Sequence, residues 1–159
     1  MTNNIANNKQ LFFRVEHSFE YLPFLLQYTK ENKKIGCGPW SYVDRFTNEE
    51  VEIVYNSTKD HALPYPPEAG MTYPFDSEIH EIVKGDPTIY SNGVKANFIF
   101  GCTERRAVNK YFSYYCRKVL DSYGFELKIY SSEYVYQSQY QAVMDISKPY
   151  HLINASALV

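Results

Sequence analysis

Cysteine is scarce in this chain. Three occur in 159 residues, Cys37, Cys102 and Cys116, with no CxxC pair among them. An odd, widely spaced set argues against a disulfide framework and fits a reducing cytoplasm. With 7 Gly and 8 Pro, the chain lacks the composition of a fibrous or low-complexity protein. No apolar run approaches the length a bilayer demands, and the opening MTNNIANNKQ is polar without an apolar h-region. Neither a membrane span nor a signal peptide is therefore expected. An excess of one charge is also missing: 16 Lys and Arg against 18 Asp and Glu leave a net charge of −2, with no basic stripe. That argues against a partner bound through a nucleic-acid backbone. Absent too are GxGxxG, GxxxxGK[ST], GxSxG and HExxH, and His17, His61, His80 and His151 follow no ligand spacing. No metal and no cofactor is expected.

Aromatic residues are abundant: 16 Tyr, 10 Phe and 1 Trp make up 17% of the chain. Tyrosine favours places that are half apolar and half wet. The excess fits an aromatic core, or an aromatic-lined ligand cavity. The length is that of one domain, and 45% hydrophobic residues can give it a core.

Residues 1–9 read as a flexible start and 10–150 as a single α+β domain made of two β-α-β-β units. In the first unit, about 10–56, LFFRVE at 11–16 is a strand. Ser18 caps a helix to about Lys33, stopped by Gly36 and Gly38, and WSYVDRF (40–46) and VEIVY (51–55) form a hairpin turned by TNEE. In the second, about 95–150, KANFIF is a strand and Thr103 caps a helix to about Tyr123, ended by Gly124. Strands 125–130, 133–136 and 140–146 follow. The Pro-rich connector 57–94 carries SEIHEIVKG, which reads as a strand or a helical turn, and is long enough to serve as a lid or pocket wall.

Glu133 is the sharpest candidate. Phe125, Leu127 and Ile129 share one strand parity, and without a bulge Glu133 and Val135 continue it, placing a carboxylate on an apolar face. Two readings stand: a bulge near Ser131 and Ser132 that turns Glu133 outward, or a buried Glu kept for a cationic ligand among Tyr rings. Cys102, ahead of a helix and followed by Arg105 and Arg106, reads as an activated thiol or as a packed strand end.

SFEYLPFLLQY, GPWSYVDRF and GFELKIYSSEYV, in this order within a doubled β-α-β-β pattern, resemble the GyrI-like effector-binding domain of multidrug-sensing regulators over residues 10–150. The resemblance implies a cavity for lipophilic aromatic cations, and the protein is expected to be a cytoplasmic monomer. The family's buried Glu falls on Glu133, its helix-one aromatic on Phe19 and the Tyr opening its last strand on Tyr140, while Trp40 and Tyr42 wall the pocket. No helix-turn-helix precedes residue 10, so a stand-alone multidrug-binding protein is expected, with no nucleic acid or membrane partner. The alternatives are a hydrolase of reactive electrophiles using the same Glu, with Tyr140 or Tyr42 as second group, and a protein-interaction or inhibitor module.

Overall fold

The computed structural model describes residues 8–21, 35–60, 63, 76–83 and 98–159. In chain order the elements are strand β1 (Gln10–His17), two 3-10 turns (Pro39–Ser41 and Val43–Arg45), helices α1 (Asn48–Asp60) and α2 (Ser77–Val83), and strand β2 (Phe98–Gly101). Helices α3 (Arg105–Tyr111) and α4 (Tyr114–Ser122) follow, then strands β3 (Phe125–Ser132), β4 (Val135–Gln137), β5 (Ala142–Asp145) and β6 (His151–Ser156). The α+β class is as expected. Two antiparallel sheets, ordered β1-β3-β6 and β2-β5-β4, are joined by a bridge between Phe13 and Cys102.

The first half departs from the expected hairpin. Pro39 opens a 3-10 turn rather than a strand. Thr47 and Glu50 form a reciprocal capping box: the Glu50 N–H donates to Thr47 Oγ1 at 3.2 Å and the Thr47 N–H to Glu50 Oε1 at 2.8 Å. The helix they open takes in VEIVY, because Val51, Val54 and Tyr55 recur at helical spacing and meet the core. The helix expected over 18–33 lies, from residue 22 on, outside the described residues, as do 95–97 and most of the connector. Residues Ser77–Val83 of the connector are helical.

In the second half the expected 103–123 helix is two helices. Ser113 caps α4 by accepting from the Cys116 N–H at 3.3 Å, and its own N–H is diverted to Ser57 Oγ on α1. Gly124, at φ +92°, turns the chain into β3 in a conformation that favours glycine. Strand β3 runs antiparallel to all of β1, from Gln10 opposite Ser132 to His17 opposite Phe125. Beyond residue 150, β6 adds a third strand to this sheet.

Both faces of the first sheet are covered along β1 and β3. Val15, Phe125 and Leu127 meet Val54, Tyr111, Cys116 and Leu120 of the helices. Phe12 and Tyr130 on the other face meet Ile99 and Met144 of the second sheet. The far face of that second sheet, through Phe100 and Val143, packs on Ile79 and Val83 of α2. Among the described residues no helix is long and apolar enough to cross a membrane.

Candidate functional site

Glu133 stands on the surface. The expectation of a buried Glu133 is corrected by its neighbour: the Ser132 hydroxyl, itself buried, accepts from the Tyr134 N–H at 2.9 Å and donates to the Pro149 carbonyl at 3.0 Å. This local turn ends β3 and breaks the parity that would have carried Glu133 inward.

The buried carboxylate is Glu16, fully enclosed on the inner face of β1. It accepts hydrogen bonds from the Tyr130 hydroxyl and the Gly36 N–H, and lies 3.7 Å from both Arg14 Nε and Lys128 Nζ. Arg14 reaches further, donating to the Phe100 carbonyl at 2.7 Å. Burial pushes the Glu16 pKa up, against the opposing pull of Arg14, Lys128 and the two donors. The same cluster raises the Tyr130 hydroxyl, chiefly through burial, and Tyr150 is pushed up to about 12. The arrangement ties β1, β2, β3 and the backbone at Gly36 together. The signal in the sequence was Arg14 and Glu16 on the same parity as Phe12, in a strand whose other parity is also apolar.

The other expected residues divide. Trp40 is 6% exposed and packs on Tyr55 and Phe112 at 5.2 and 6.1 Å between ring centroids. It lines a cavity of ≈ 40 Å³, room for a few waters and far too small for a dye. Tyr140 lies in a separate open groove, described below. Phe19 and Tyr42 come together around His17. The His17 Nδ1 accepts from the N–H groups of Phe19 and Glu20 at 3.1 and 3.0 Å. The ring proton is thereby assigned to Nε2, which donates to the Tyr123 carbonyl. The His17 ring stacks on Tyr42 at 5.1 Å and 16°, and Phe19, 79% exposed, stands edge-on to it at 6.2 Å.

Tyr42 is half-buried on a floor of Phe46, Tyr123 and Phe125. The Arg45 guanidinium carbon sits 4.7 Å from the Tyr42 ring centroid, and Arg45 Nη1 lies 3.0 Å from Glu20 Oε1. Hydrogen bonding to Tyr42 and the Glu20 charge hold the Arg45 pKa above its ordinary value. Tyr123 is fixed from below by its hydroxyl donating to Glu50, and this bond pulls the Glu50 pKa down. An aromatic face, an anion and a cation already lodged between them thus share one exposed patch. Sequence reasoning singled out two of its rings, but missed Glu20 and Arg45, which lie 25 positions apart with no motif joining them.

Burial pushes the Cys102 thiol up to about 12, as expected of a packed strand end rather than an activated nucleophile. Among the described residues no group of three or more His, Cys, Asp or Glu could hold a metal ion. Comparison with protein-family models, with curated proteins and with solved structures found no match to the chain.

Proposed function

We propose that this protein binds lipophilic aromatic cations, and that it does so on the Tyr42 platform, with Glu20 as counter-charge and Phe19 as the flanking ring. The observation that carries the reading is Arg45: its guanidinium lies over Tyr42 and against Glu20, where a cationic ligand would lie. It is an intramolecular occupant, exposed and so displaceable. An aromatic face attracts a cation through its ring quadrupole, and a neighbouring carboxylate adds charge selectivity without demanding one hydrogen-bond pattern. The His17 ring and the bond from the Cys37 N–H to the Glu20 carbonyl at 2.9 Å hold the Glu20 backbone in place before any ligand arrives. A shallow platform gives modest affinity, with dissociation constants on the order of 0.1–1 mM.

The exposure of Glu133 leaves the hydrolase alternative without its buried carboxylate, and the reading is therefore one of binding. A monomer in a reducing cytoplasm suits the three buried, unpaired thiols.

The test is a titration with (2-naphthylmethyl)trimethylammonium. Arg45→Ala, which vacates the face, should tighten binding by about two- to fivefold, and Glu20→Gln should weaken it by a similar factor. Equal affinity in wild type and both variants would overturn the proposal.

A further inference from the structure

The groove at Tyr140 is of another character. It is open to solvent, offers ≈ 570 Å³, within the range of small-molecule sites, and lies between α3 and the turn joining β4 to β5. Arg106 and Lys110, four residues apart on one face of α3, line one wall, and Gln139 and Tyr140 the other; Leu63 and Tyr111 supply apolar surface. Arg106 Nε is engaged by Glu104 at 2.6 Å. Lys110 is exposed, and no carboxylate among the described residues pairs with it. Glu104 lines the groove as well, so among the described lining residues two positive charges face one negative, leaving one positive charge in excess beside an aromatic ring.

Its far wall is held with unusual care for a surface turn. Ser138 Oγ accepts from the N–H groups of Tyr140 and Gln141, both at 3.1 Å, and donates to Asp76 Oδ2 at 2.7 Å. The Gln141 side-chain amide donates to the same Asp76 oxygen at 3.0 Å. Asp76 is buried, and its second oxygen accepts from the Ile79 N–H at 3.2 Å in the first turn of α2. A buried carboxylate is thus committed to fixing the turn that presents Tyr140. The two walls are also tied across the groove's end, where Thr103 Oγ1 donates to Gln137 Oε1 at 2.9 Å. Ordering a binding loop before the ligand arrives removes a cost that binding would otherwise carry.

The geometry points to a second ligand site, for a small planar aromatic anion. Its ring would lie on Tyr140, and its carboxylate, sulfonate or phosphate would face Lys110 and Arg106. Asp76 is a positioning residue for this site. The site is independent of the Tyr42 platform and takes ligands of the opposite charge.

The probe is 2-naphthalenesulfonate, a ring system matched to the ammonium probe with the charge reversed, titrated into the full chain and followed by amide chemical shifts. Wild type should bind it, with shifts centred on Lys110 and Tyr140. Lys110→Glu should weaken binding by about three- to tenfold and Tyr140→Ala by about two- to tenfold, while Glu20→Gln leaves it unchanged. The affinity should fall as salt rises. Both substituted residues are exposed, so the variants should keep the wild-type unfolding transition. Absence of sulfonate binding in the millimolar range, or equal binding by wild type, Lys110→Glu and Tyr140→Ala, would overturn the inference. Because the ammonium titration is read at Glu20 and Arg45, either site can fail without the other.

Discussion

Among the described residues, two arginine–glutamate pairs are built beside a tyrosine. Arg14 and Glu16 meet at 3.7 Å within the sheet and are almost fully enclosed, with Tyr130 bonded to the carboxylate. Arg45 and Glu20 meet at 3.0 Å, each about half exposed, with Tyr42 beneath the guanidinium. The shorter contact is the weaker constraint. Water screens the outer pair and competes for both partners, so such pairs contribute about 0.2–1 kcal/mol. The inner pair has no water to fall back on, and removing one member takes a charge partner from the other where solvent cannot replace it. The same residue types hold an architecture in one place and offer an exchangeable contact in the other. Burial separates the two roles.

The comparison is broken most severely at Glu16. Glu16→Gln removes the carboxylate that Arg14 and Lys128 each face at 3.7 Å inside the fold, and should cost about 3–5 kcal/mol in urea unfolding. A loss below about 1 kcal/mol would show that the inner pair behaves like the outer one.

A subtler difference appears with pH. The Glu16 pKa is raised above its ordinary 4.5, so the folded state holds a proton there that the unfolded chain has released. Its contribution to stability is whole below pH 4.5 and declines as pH rises from that value through the folded pKa. Glu50, pulled down by Tyr123, works in the opposite sense: its contribution is present above 4.5 and fades as pH falls through its folded pKa. Difference curves of unfolding free energy against pH, wild type minus Glu16→Gln, should therefore slope downward above 4.5. A flat difference would deny the raised pKa.

The smallest effect belongs to the outer pair. Glu20→Gln should change stability by no more than about 1 kcal/mol. A larger loss would mean that Glu20 is structural and that Arg45 is not displaceable.

Much of the second half was legible from the residues, because its signals are local. Gly124 ends a helix and FELKIY opens a strand. The first half misled because VEIVY satisfies both periods: it alternates, and it also repeats at three and four. The deciding signal was TNEE, which has the spacing of a capping box as well as the composition of a turn. Of the two readings of Glu133 the outward one holds, because the Ser132 side chain bends the backbone, and the buried position implied by the family resemblance does not. The Glu16 cluster was passed over because charged residues in a strand are read as solvated unless both faces are seen to be covered, and only the second sheet covers the inner one. Of the candidate platform, Phe19 and Tyr42 were legible. Their meeting at His17, and the Glu20–Arg45 pair, are products of tertiary packing that no spacing encodes.

Strand β6 is the outermost strand of its sheet, and Leu152 and Ile153 on it are more than half exposed. At the opposite margin, β1 is engaged through Phe13 and Cys102 and through the His17 N–H bonded to the Cys37 carbonyl. On this sheet a foreign strand therefore finds its open row of backbone groups at β6.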